Sequence, residues 1–131
     1  IKSFDAKRRL VIAGQAGDRS DQDTCDMIQA LWTIEPDMTV VAELPDLLRG
    51  RKLGELTKVM SNELRRLGAG DDNIIEIETE YQAVVKALEW ARSGDFLALL
   101  VHTDRIAIMA LLEKLRAKGW QAGEPLPDQA A

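Results

Sequence analysis

Leu10-Val11-Ile12-Ala13-Gly14-Gln15-Ala16-Gly17-Asp18-Arg19-Ser20-Asp21 begins as a short aliphatic run, turns through two glycines and closes on a dense run of charge. The aliphatic run reads as a β-strand. Beyond the charges, Met27, Ile28, Leu31 and Trp32 recur at the three-and-four spacing that makes one face of a helix, and Ser20 with Asp23 resembles its cap. The stretch therefore predicts a strand, a glycine-containing loop and a helix in that order.

The same unit recurs along the chain. Thr39 to Ala42, Ile74 to Ile77 and Phe96 to Val101 are further candidate strands. The second helix carries Leu56, Val59, Met60, Leu64 and Leu67 and meets Gly68 and Gly70, which can take the left-handed turn that ends a helix. The third carries Tyr81, Val84, Val85 and Leu88, with Thr79 and Gln82 at capping-box spacing and Gly94 at its exit. The fourth runs from about Thr103 to Lys118, with Ile106, Met109, Leu112 and Leu115 expected inward and Gly119 at its close. Four strand–helix units in strict alternation predict an α/β fold, a Rossmann-like three-layer sandwich whose mainly parallel sheet has helices on both faces. Ile75 and Ile77 alternate with Glu76 and Glu78, as suits an edge strand, whereas Phe96 to Val101 is apolar throughout, as suits a strand with neighbours on both sides. A neighbour from outside the chain is expected beside that last strand.

Bulk properties narrow the function. The 131 residues suit one domain, and 46% hydrophobic with 30% charged residues is ordinary globular composition. A net charge of -5 argues against nucleic acid or an anionic membrane as partner. The single cysteine, Cys25, permits no internal disulfide and suits a reducing, cytoplasmic setting. Phe96 to Val101, the longest apolar run, is far short of the roughly 20 residues of a membrane helix. Ile1 opens the chain inside a polar stretch, Lys2 to Lys7, that reads as a helix exit, so a fragment of a longer protein is expected. Residues 1–123 are read as the domain, and 124–131, with Pro125 and Pro127, as a loose tail.

Ligands of open parallel sheets bind beyond the carboxyl ends of the strands, where loops and helix N-termini converge. In the first such loop, Asp18 and Asp21 suit a ribose hydroxyl or a substrate ammonium, and Arg19 suits a carboxylate or phosphate. Helix capping on a solvated turn explains the same residues. The second, Glu43 to Gly54, crowds Arg49, Arg51 and Lys52 around Gly50 just ahead of a helix, where cations oppose the helix dipole unless an anion lies between them. An ordinary basic surface loop is the alternative. The fourth places His102, the only histidine, at a strand end with no cysteine or serine nucleophile paired to it in sequence. No cluster of histidine and cysteine has metal-ligand spacing. Met27, Met60, Met109, Trp32, Trp90 and Trp120 are expected to pack.

Gly17-Asp18-Arg19-Ser20-Asp21 opening one helix, followed by Asp46-Leu47-Leu48-Arg49-Gly50-Arg51 and Gly54-Glu55 opening the next, resembles the C-terminal domain of the Mur ligase superfamily. The likeness is nearest to the Mur-ligase-like part of cyanophycin synthetases, from which the second segment departs by an extra leucine, and spans roughly Arg9 to Leu115. The resemblance implies the last lobe of an ATP-dependent ligase that joins an amino acid to a carboxylate through an acyl phosphate, with strand order 4-1-2-3. The family's first strand, which carries an Asp-x-Ala-His-Asn type motif and borders the last strand, has no counterpart after Ile1. Asp18, Arg19 and Asp21 would line the inter-domain cleft, Asp18 and Arg19 beside the nucleotide, while Arg49, Arg51 and His102 would face the amino acid or phosphates. ATP and Mg2+ would be held mainly by a central domain, because this sequence has no Gly-Lys-Ser or Gly-Lys-Thr. Alone, the lobe would be inactive.

Two rival readings need no partner domain. A stand-alone Rossmann-like binding module, such as a receiver, would require an acidic pair after the first strand and an aspartate after the third; Gly14-Gln15-Ala16 and Ile77-Glu78-Thr79-Glu80 stand there instead. An interaction module would use the last strand's edge for docking, including docking of a second copy.

Overall fold

The computed structural model describes residues 6–127. The chain runs β1 (Arg9–Ala13), α1 (Asp21–Trp32), β2 (Met38–Ala42), α2 (Glu55–Leu67), β3 (Ile74–Ile77), α3 (Glu80–Trp90), β4 (Phe96–Ala98) and α4 (Arg105–Ala117). All strand pairs are parallel, and the sheet order is β3-β2-β1-β4, the expected 4-1-2-3 read from its other edge. The chain moves one strand at a time from β1 to β3, then returns past β2 and β1 to place β4 on the far side of β1. That reversal gathers two helices on each face.

Each face has its own core. Leu10, Ile12, Val40 and Ala42 pack with Ala83, Val84, Ala87 and Leu88 of α3 and Ile108, Leu111 and Leu115 of α4. The alternate residues Ala13 and Val41 pack with Ile28 of α1 and Leu56, Met60 and Leu64 of α2. The period-2 alternation of a strand thus serves both layers, so β1 and β2 must be apolar at successive positions.

Helix ends follow their local chemistry. Ser20 and Asp23 form a reciprocal capping box on α1, and the Thr79 side chain accepts from Gln82 N–H at the start of α3. Gly68 closes α2 in the left-handed conformation. Gly70 does not take that conformation and sits in extended backbone ahead of a short 3-10 turn, Asp71–Asn73.

Two expectations change. In α4 the inward residues are Ile108, Leu111 and Leu115, while Ile106 and Met109 are 90% and 63% exposed. Apolar residues lie around much of this helix, and the sheet selects the phase set by Ile108. The pairing of β4 stops at Ala98 rather than Val101; as the order 4-1-2-3 expects, β4 lies at an edge of the sheet, with β1 its one neighbour among the described residues. Past Ala98, Leu99 and Val101 turn into the α3–α4 core, and Leu100 is exposed. Glu124 to Pro127 form no regular element, yet Leu126 packs against that same core and the Trp120 indole donates to Glu124 O at 3.1 Å. Residues 128–131, and all of the polar opening except Ala6 and Lys7, lie outside the described residues.

On α2, Glu63 is almost fully buried and accepts from Arg66 Nε and Nη2, at 2.7 and 2.6 Å, and from Gln29 Nε2 of α1 at 2.8 Å. The Arg66 guanidinium, helped by Gln29 and opposed by burial, holds the Glu63 carboxyl down at about 2. A carboxyl depressed in the folded chain stabilises it above the unfolded value of about 4.3, and that stabilisation fades as pH falls towards about 2. Urea midpoints measured from pH 5 to 2 should decline less steeply in Glu63→Gln than in the wild type.

Candidate functional site

The loops after β1 and β2 meet at the carboxyl rim as one unit. Gly17 N–H donates to Leu47 O at 2.8 Å, and a Cβ added at Gly17 would lie 1.8 Å from Leu48 O. Only glycine permits this approach of backbone to backbone. Leu48 to Arg51 form a turn closed by Arg51 N–H to Leu48 O at 3.0 Å, with positive φ at both central residues, 51° at Arg49 and 92° at Gly50. Gly50 takes that conformation freely; Arg49 holds it at a cost.

Arg51 fastens the unit. Its Nε donates to Gly17 O at 3.0 Å, Nη2 to Arg19 O at 2.8 Å, and Nη1 to Asp21 Oδ1 at 2.7 Å and Glu55 Oε2 at 2.9 Å. The hydrogen bond to Asp21 is the main influence raising the guanidinium pKa further above its ordinary value. The anions that offset the helix dipole are thus the chain's own Asp21 and Glu55. As placed, Arg51 and Asp21 are committed to each other, whereas Asp18, Arg19 and Arg49 are exposed and their side chains make no hydrogen bond or ion pair among the described residues. The structure therefore brings two of the sequence-selected residues into a clasp and leaves three projecting from it.

His102 lies elsewhere on the rim, in a cluster organised by Glu80. This residue, first in α3 and fully buried, accepts at Oε2 from His102 N–H at 2.7 Å and meets His102 Nδ1 at 3.0 Å. At Oε1 it accepts from the Thr103 hydroxyl at 2.8 Å and from Thr103 N–H. Glu80 accepts from the other three groups, and His102 Nδ1 donates to it when that nitrogen carries the ring proton. A Cβ built on Gly14 would stand 3.7 Å from Glu80 Oε2, which puts the carboxylate under the end of β1. Glu80 thereby ties the β3–α3 and β4–α4 loops together beside the β1–β4 reversal, where doubly wound sheets hold ligands. Neither Glu80 nor the buried Glu43 was singled out by spacing; an acidic residue just after the Thr79 cap was the only visible signal.

No family model, curated protein or solved structure matches this chain.

The assignment of the rim therefore rests on its own chemistry. No group of three or more His, Cys, Asp or Glu among the described residues is placed to hold a metal ion. Cys25 is half-buried, and desolvation followed by nearby carboxylates pushes its thiol up, which disfavours a thiolate nucleophile. No helix among the described residues is long and apolar enough to cross a membrane. The exposed charges of Asp18, Arg19 and Arg49 can bind an ionic ligand electrostatically.

Arg51→Ala removes all four side-chain bonds of the clasp. It is expected to cost about 2 kcal/mol, read as a lower denaturation midpoint at unchanged slope, with Lys at 51 failing to restore it because an ammonium lacks the planar fork.

Proposed function

We propose that this chain is the C-terminal substrate-binding lobe of an ATP-dependent amide ligase, one that joins an amino acid to a carboxylate in the cytoplasm. The observation supporting the reading is the clasp: the two segments that carry the family resemblance, 34 residues of chain apart at Gly17 and Arg51, close on each other through those two residues and leave Asp18, Arg19 and Arg49 exposed beside them. Arg19 and Arg49 supply fixed positive charge for a carboxylate or phosphate, and Asp18 supplies an acceptor for an ammonium. These residues position and neutralise; no covalent role is required of them. The reading assigns ATP and Mg2+ to another domain, because this sequence has no Gly-Lys-Ser or Gly-Lys-Thr. That domain would also cover the edge of β4 that has no neighbour among the described residues, together with the exposed apolar residues Leu100, just past β4, and Ile106 and Met109 of α4.

The test is amino-acid-dependent conversion of ATP to ADP and phosphate by the complete polypeptide that contains this chain. Asp18→Ala and Arg49→Ala should each lower kcat/KM about tenfold or more without lowering the melting temperature. Arg49→Gly should lower turnover likewise while raising stability by about 0.5 kcal/mol, because glycine relieves the left-handed backbone at 49. No ATP cleavage, or wild-type rates in all three variants, would reject the reading.

A further inference from the structure

His102 is held more firmly than its loop requires. Three donors of that loop, His102 N–H at 2.7 Å, the Thr103 hydroxyl at 2.8 Å and Thr103 N–H, already tie it to the Glu80 carboxylate. The fourth contact, His102 Nδ1 to Glu80 Oε2 at 3.0 Å, is not needed for that anchor, but it fixes the orientation of the imidazole. The Glu80 side chain is wholly buried, whereas 41% of the His102 side chain is exposed. The ring therefore turns its Nδ1 edge inward and its opposite edge, with Nε2, towards solvent, and Nε2 has no hydrogen-bond partner among the described residues.

A carboxylate behind Nδ1 favours the tautomer whose proton lies between the two groups, which leaves Nε2 as the nitrogen that accepts a proton. It also sets a negative charge opposite the imidazolium formed when Nε2 does so. The exposed edge stands where such a group meets a ligand. Glu80 Oε2 lies 3.7 Å from where Gly14 would carry a Cβ, so His102 flanks the β1–β4 reversal at the carboxyl rim. Gly14 opens the same loop that carries Asp18 and Arg19.

We propose that His102 Nε2 is the proton acceptor for the amine that the ligase couples, with Glu80 as its positioning residue, an inference that rests on the ligase reading. The amino acid arrives as an ammonium and gives one proton to Nε2. The freed lone pair forms the C–N bond to the acyl carbon of the acyl phosphate. The C–O bond to the phosphoryl group then breaks, and a second proton from the nitrogen leaves with the phosphate. The Nδ1 proton stays on the ring, bonded to Glu80, so the buried carboxylate takes up no proton.

In the complete polypeptide that contains this chain, hydroxylamine tests the step by trapping the acyl phosphate as a hydroxamate. It is largely unprotonated at neutral pH and needs no base, whereas the amino acid must first lose a proton. His102→Asn puts an amide nitrogen where Nδ1 stood, so a donor to Glu80 remains while Nε2 is deleted. At about pH 7 this variant should form hydroxamate at the wild-type rate and amide about 100-fold more slowly. At about pH 9.5, where the amino acid supplies its own free amine, most of that gap should close. An amide rate equal to the wild type's at neutral pH, hydroxamate and amide falling together, or a gap that persists at high pH would overturn the proposal. No hydroxamate from the wild type would reject the ligase reading, and this step with it.

Discussion

Gly17→Ala is expected to destabilise the chain by about 3 kcal/mol, at the upper end of what one added methyl group does in a packed interior. The reason is geometric: the new Cβ would meet Leu48 O at 1.8 Å and Leu48 C at 2.6 Å, both backbone atoms that no rotamer change can move. The two loops must separate, and separation breaks the Gly17 N–H bond to Leu47 O and strains the bond from Arg51 Nε to Gly17 O. Equilibrium denaturation should show the loss. A control at Gly50, which has open space around its missing Cβ but a φ of 92°, should cost only the backbone strain, about 1 kcal/mol. Equal effects at 17 and 50 would mean the loops are not in contact.

The second large effect is expected at Glu80. Removing its carboxylate by Glu80→Ala deprives His102 N–H, Thr103 N–H and the Thr103 hydroxyl of their acceptor and leaves a void at a position with 0% exposure. Partners left unsatisfied at a part-buried site cost more than the bonds themselves contributed, so about 3 kcal/mol is expected. Glu80→Gln keeps the shape but turns one acceptor into a donor facing other donors, and should cost about 2 kcal/mol. In both variants, hydrogen exchange at residues 99–104 should accelerate more than in β1, because the loop loses the anchor that holds it to α3.

Much of the fold was legible because it is written in local pattern. Leu10 to Ala13, Thr39 to Ala42 and Ile74 to Ile77 stand as strands within a residue of their expected limits, and the Ser20 and Thr79 caps sit where their spacing placed them. Where periodicity was ambiguous it misled. In α4, Ile106, Met109 and Leu112 form as good a stripe as Ile108, Leu111 and Leu115, and only the sheet decides between them. The site was legible by residue type but not by role. Arg51 stands out in sequence as a cation that needs an anion; the anion beside it is Asp21, thirty positions earlier in the chain, which loop sequence cannot reveal. Glu43 and Glu80 look like ordinary surface acids in sequence; their burial depends on helices α2 and α3 crossing back over the strand ends.

The claim beneath both the clasp and the functional reading is that the β1–α1 and β2–α2 loops behave as one body. Amide hydrogen exchange in Arg51→Ala measures this directly. Residues 18–21 and residues 50–55 should lose protection together, by similar factors, while β1 and β2 keep theirs. Faster exchange at 50–55 with unchanged protection at 18–21 would show that the loops move independently and would contradict the account.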